Sequence, residues 1–308
     1  MAHRGFAFVA GVTAVVLSLA SCSSQADKRE AAAPIGPDLG VEHVHGLGID
    51  PADGVLYAAT HFGLWRIPET GDATRVADRY QDTMGFTVVG PGTFLGSGHP
   101  DFQMDPDLPT RLGLIRSSDG GETWENLSLS GEADFHVLHA VHGKVYGWDA
   151  GTSRVMVSHD DGRNWETRST LDLRDLVVSP DDPDLLLATT EAGLMRSEDG
   201  GRTWTQVAGT PALQVLAWAS PASVYGVTPD GVVQHSVDGG STWAARGAVS
   251  GEPEALVVSV LDDAENLFVA VSGQGILASK DGGATFTSRY SEWQPCVVSR
   301  SRASSRWH

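Results

Sequence analysis

Between residues 172 and 204 the chain alternates short apolar runs with turn residues. LRDLVVSP is followed by DDPD, LLLATT by EAG, and LMRS by EDGGRT, and a further run starts at Trp204. Runs this short, bounded by Gly, Pro and Asp, predict β-strands joined by tight turns. Four such strands make about one blade of a β-propeller. VLYAAT, TFLGSG, KVYGWD, SVYGVT and LFVAVS fill the place of LLLATT elsewhere in the chain.

The turn before the fourth strand is written almost identically five times. SSDGGETW starts at residue 117, SHDDGRNW at 158, SEDGGRTW at 197, SVDGGSTW at 236 and SKDGGATF at 279. A period near forty residues is the mark of a repeat architecture. The glycines accept positive φ without steric cost. The aspartates Asp119, Asp160, Asp199, Asp238 and Asp281 can accept hydrogen bonds from turn N–H groups. The Trp, or Phe286, packs its ring between strands. This element resembles the Asp box of BNR-repeat propellers, a likeness that spans about 245 residues. GLWRIPETGD (63–72) aligns with GLIRSSDGGE (113–122) as a degenerate sixth copy. The expected fold is therefore all-β: a six-bladed propeller of four-stranded antiparallel blades over residues 41–290. A seven-bladed ring is the alternative, and it needs a blade that the sequence does not offer.

Charge and the termini add what the pattern leaves out. The chain has 308 residues and a formal charge of −18, which argues against nucleic acid, whose phosphates need a basic face. Residues 1–21 combine Arg4 with the apolar run FAFVAGVTAVVLSLA, the pattern of a secretory signal. The following Leu19-Ala20-Ser21-Cys22 resembles the lipobox of bacterial lipoproteins, which implies lipidation of Cys22. Residues 22–40 read as a tether, so the expected location is the outer side of the cell membrane, held by the lipid. With Cys296 as the only other cysteine, neither an internal disulfide nor a Cys-rich zinc site is available. Residues 291–308 form a basic tail without strand pattern.

Asp-box propellers include sialidases, whose Arg-Ile-Pro motif matches Trp65-Arg66-Ile67-Pro68. In the repeat register, however, Arg66 aligns with Arg116 and Arg196 on third strands, away from the channel. An arginine cluster for a sialic acid carboxylate is also missing, with only Arg174 at an inner-strand position. Tyr57, Tyr146 and Tyr225 fall in second strands and read as core, not as nucleophiles.

Alignment of the innermost strands yields a different constellation. HVHGLGI (43–49) matches DTMGFTV (82–88), DFHVLHA (134–140) and DLRDLVV (172–178). One column reads His43, Asp82, Asp134, Asp172, and the column two residues on reads His45, Met84, His136, Arg174. Alternation along a strand sends both toward the channel mouth. The loops after the second strands add His61 and His99 in equivalent places. His139, offset from His136, is expected to point away.

Imidazoles with a carboxylate are ligands for zinc or copper, and a thioether favours copper(I). The expected metal set is His45, Met84, His99 and His136, with His43, His61, Asp82 and Arg174 as further ligand-binding groups. A second reading is a glycoside hydrolase of exo-sialidase-like type, with Asp101, Asp134 and Asp149 as candidate catalytic carboxylates. A third is a structural envelope protein whose histidines only join blades. The first reading makes the chain a binding or assembly module for a small ligand, a glycan or a partner protein. It is also in keeping with a resemblance to Asp-box propellers that assist assembly of membrane complexes. The insertion HPDFQMDPDLPTRLG (99–113) on the same face is a candidate lid.

Overall fold

A computed structural model describes residues 40–261 and 264–291. Except for Gly40 and Ser291, the expected signal segment, Cys22 and its tether, and the basic tail lie outside the described residues. No helix among the described residues is long and apolar enough to cross a membrane.

The chain folds into six four-stranded antiparallel sheets, each built from four consecutive strands. The innermost strands are Val44–Ile49, Asp82–Gly90, Phe135–Val141, Asp175–Val178, Val215–Trp218 and Pro253–Leu261. Each touches the next, and the last touches the first, so the blades close a ring around a central channel. The six-bladed reading holds and the seven-bladed alternative falls.

The cores lie between blades. Six hydrophobic clusters occupy the six seams. One of them joins Leu47, Leu56 and Trp65 of blade 1 to Ala255, Ala270 and Ile276 of blade 6. No strand is exchanged between these blades, so closure rests on that packing and on polar contacts, three of which involve the backbone. The Val44 N–H donates to Glu254 Oε2 at 2.9 Å, Arg289 Nη2 donates to the Ile67 carbonyl at 2.9 Å, and the Val41 N–H donates to the Tyr290 hydroxyl at 3.5 Å. The tyrosines of the second strands are core, as expected: Tyr57, Tyr146 and Tyr225 are all buried. Arg66 sits on a third strand and pairs with Asp53 at 3.1 Å.

The Ser-x-Asp-x-Gly box has one geometry in all five copies. In the copy at 197, Ser197 Oγ donates to Asp199 Oδ1 at 2.8 Å and accepts the Gly201 N–H at 2.9 Å. The Thr203 N–H and hydroxyl donate to the two Asp199 oxygens at 2.9 and 2.6 Å. The box does more than close its hairpin. Gly201 has φ +86°, and a Cβ there would come within 3.2 Å of Val155 in the preceding blade. The equivalent Gly240 and Gly162 press on Leu187 and Leu114 of their preceding blades in the same way. Trp204 Nε1 donates to Ser169 Oγ of the preceding blade at 3.0 Å.

The hydrogen bonds from Thr203 and Ser197 hold the Asp199 carboxyl at about 2. A carboxyl depressed in this way stabilises the fold above its unfolded value near 4, and that share is lost as pH falls toward 2. Asp199→Asn is therefore expected to melt below the parent at pH 6, and the gap narrows between about pH 4 and pH 2. A gap independent of pH across that window contradicts this assignment.

Candidate metal centre

The site grows from a backbone irregularity repeated around the ring. Val44 pairs with Thr60 and Gly46 with Ala59, which leaves His45 as a bulged residue. Met84, His136 and Glu254 are bulged in the same manner in blades 2, 3 and 6. In blades 4 and 5 the same place is taken by Arg174 and Gln214, whose N–H groups donate to Thr189 and Val227, the partners of the next residues. A bulge re-aims its side chain, and here His45, His136, Arg174 and Glu254 all reach the channel wall.

At the seam of blades 1 and 2 three ligand atoms converge. His45 Nε2 lies 3.4 Å from His61 Nδ1 and 3.4 Å from Asp82 Oδ1. His61 Nδ1 lies 3.3 Å from the same oxygen. His45 comes from the bulge, His61 from the loop after the second strand, and Asp82 from the start of the next innermost strand. Asp82 Oδ1 is buried and makes no hydrogen bond. A proton on one nitrogen serves one edge of this triangle, whereas a cation at its apex serves all three atoms.

The size of the triangle fits a particular coordination. Tetrahedral bonds of 2.0–2.1 Å place ligand atoms about 3.3–3.4 Å apart. Octahedral bonds of that length place neighbouring ligands only about 2.9 Å apart. The observed edges match the tetrahedral value, and two imidazoles with a carboxylate suit zinc. Three protein atoms leave one tetrahedral position open.

The other expected residues fall outside this triangle. Among the described residues, His45, His61 and Asp82 are the one set of three or more His, Cys, Asp or Glu ligand atoms within 4.8 Å of one another. Of the expected set of His45, Met84, His99 and His136, the triangle holds His45, while His99 and His136 stand at the next seam. His99 and His136 gather at the next seam around Asp134. His136 Nε2 is 3.3 Å and His99 Nε2 3.9 Å from Asp134 Oδ2. Burial works to raise the Asp134 carboxyl, but the hydrogen bond from His136 and the charges of His136, His99 and Arg111 outweigh it and hold it low. His43 has φ 56° and lies beside the triangle, with its ring centroid 5.7 Å from His45 and 6.0 Å from His61. Its Nδ1 faces Glu254 at 3.4 Å.

Asp101 and Asp149 are committed to the backbone. Asp101 is buried and accepts the N–H groups of Tyr80 and Gln103, both at 3.0 Å. Asp149 is buried and accepts the Asp134 N–H at 2.9 Å, with its second oxygen on Thr152. Neither is a free acid or base. The insertion 99–113 is tied down at several points: Arg79 pairs with Asp105, His99 Nδ1 bonds the Thr110 carbonyl at 2.6 Å, and the Leu112 N–H bonds the Gly98 carbonyl at 2.9 Å. His139, expected to point away, lines the channel, where burial and then the charge of His142 lower it to about 4.

Two members of the mouth, Glu254 and Gln214, escaped the sequence reading. Their signal was available: GEPEALV and PALQVLA continue the same column, two residues before the apolar pair.

No protein-family model matches the chain, and no curated protein matches it in sequence. Solved structures are similar in fold. The GH74 xyloglucanase from Xanthomonas campestris aligns with TM-score 0.54 and 17% identity, over 81% of this chain and 46% of that one. A gluconolactonase from Xanthomonas campestris aligns with TM-score 0.59 and 15% identity, over 76% of this chain and 85% of that one. YCF48 bound to D1 peptide aligns with TM-score 0.50 and 15% identity, over 80% of this chain and 82% of that one. The chain spans less than half the length of the GH74 enzymes it resembles. At these identities the likeness is one of fold.

Proposed function

We propose that the chain is a zinc-dependent binding module whose ion sits at the channel mouth on His45, His61 and Asp82. The observation that carries this is the triangle of 3.3–3.4 Å edges around a buried Asp82 oxygen without a hydrogen bond. Three protein atoms leave a fourth position for an exogenous ligand, and one of the three ligands, His45, lines the central channel. Copper(I) is less favoured because no thioether is among the converging atoms, and copper(II) because edges of 3.3–3.4 Å suit tetrahedral and not square-planar bonds. The commitment of Asp101 and Asp149 to backbone N–H groups favours binding over glycoside hydrolysis, which needs two free carboxylates across a pocket. That a propeller of the same fold, YCF48, is bound to a peptide is consistent with a binding role. We further propose that a lipid on Cys22 holds the module outside the cell membrane, as the resemblance of Leu19-Ala20-Ser21-Cys22 to a lipobox implies.

The test is metal uptake by the full chain purified in detergent, dialysed against zinc or copper and analysed by elemental mass spectrometry. One zinc per chain is expected in the parent, and none in His45→Ala/His61→Ala melting within a few degrees of it. An unloaded parent, or a double variant loaded equally, removes the reading. The same preparation reports the anchor: the parent fractionates with membranes, and a Cys22→Ala chain that still does so removes the lipid from the account.

A further inference from the structure

Across the channel from the triangle stands a guanidinium with no partner among the described residues. His45 belongs to blade 1 and Arg174 to blade 4, so in a ring of six blades they face each other across the channel mouth. Both line a single cavity of about 860 Å³. This is within the usual range for small-molecule sites, about 300–1,000 Å³. The Arg174 side chain is exposed to that cavity and makes no hydrogen bond or ion pair with any described residue. Asp172, two residues before it, accepts the Ser153 hydroxyl, and two carboxylates that line the cavity are committed elsewhere. Asp175 accepts the N–H groups of Leu176 at 2.8 Å and Leu216 at 2.7 Å. Glu254 accepts the Val44 N–H at 2.9 Å. Both hold blade to blade or strand to strand and leave the guanidinium unpaired.

An ion in the triangle therefore gives the mouth two cationic centres on opposite walls. One has an open coordination position, and the other presents a planar fork that matches a carboxylate in two parallel hydrogen bonds. Zinc accepts carboxylate oxygen readily. We infer that the mouth binds a small dicarboxylate, with one carboxylate on the ion and the other on Arg174. This rests on the metal reading above and adds the class of ligand. A monocarboxylate satisfies one centre and leaves the other facing water, so the second carboxylate is what the site discriminates.

The experiment is calorimetric titration of the zinc-loaded full chain with succinate, glutarate, adipate and acetate. At least one dicarboxylate is expected to bind tenfold or more tightly than acetate. In Arg174→Gln, which keeps one zinc per chain and melts as the parent does, that preference collapses to within about twofold, the loss of one bidentate charge-assisted pair. Equal affinities for acetate and all three dicarboxylates in the zinc-loaded parent overturn the bridged ligand alone. So does an undiminished preference in Arg174→Gln. A parent that takes up no zinc overturns the metal reading, and the bridged ligand with it.

Discussion

Saturating zinc raises the unfolding free energy of the parent and leaves Asp82→Asn unchanged. At free zinc a hundred to a thousand times the dissociation constant, the expected gain is about 3–4 kcal/mol. For a domain of this size that is roughly 10 °C in melting temperature. The variant behaves in the opposite sense without metal. Asp82 Oδ1 is a buried carboxylate oxygen with no hydrogen bond, and a buried charge without compensation costs more than the neutral amide of Asn in its place. In chelator, Asp82→Asn is therefore at least as stable as the parent. The crossing of the two results separates a metal ligand from a residue that merely joins blades, since a joining residue destabilises in both conditions. Thermal melts with zinc and with chelator give all four values. A zinc shift of equal size in both chains contradicts the assignment of Asp82.

The second large effect is structural and lies one residue from the site. Gly98 has φ +138°, a conformation that L side chains rarely adopt, and a Cβ there would lie 2.2 Å from the Asp82 carbonyl and 2.8 Å from the Met84 nitrogen. Those atoms are backbone and have no rotamer to yield. Gly98→Ala is expected to cost at least about 3 kcal/mol, the sum of a strained φ and a backbone overlap. Because the overlap falls on the bulge at Met84 and on Asp82 itself, zinc uptake weakens together with stability. Urea midpoints of parent and variant measure the first, dialysis the second. A variant within roughly 1 kcal/mol of the parent shows that the bulge is not held from this side.

The fold was legible because its signal is repeated. Five repeated turns in register and the degenerate sixth copy at 63–72 give blade number, strand order and which face carries the turns. What the boxes do between blades was not legible, since the contact of Gly201 with Val155 joins residues from different repeats. The site was legible in part. Register brought His45, His61 and Asp82 to one face, but it could not group them. Strand alternation assumes an unbroken period of two, and the bulges at His45, Met84, His136 and Glu254 break it at the position that matters. A column in an alignment also says nothing of which neighbour across a seam a side chain meets. His45 meets Asp82 of the following blade, whereas His136 meets Asp134 of its own. Asp101 and Asp149 misled for a related reason: an aspartate that clamps backbone N–H groups and one that is free look alike in sequence.

The measurement that bears most directly on this account is X-ray diffraction from zinc-loaded crystals, with data collected on either side of the zinc absorption edge. The predicted result is one anomalous peak, about 2.0–2.2 Å from His45 Nε2, His61 Nδ1 and Asp82 Oδ1. A peak beside Asp134 between His99 and His136, or no peak with the three ligand atoms turned apart, contradicts it.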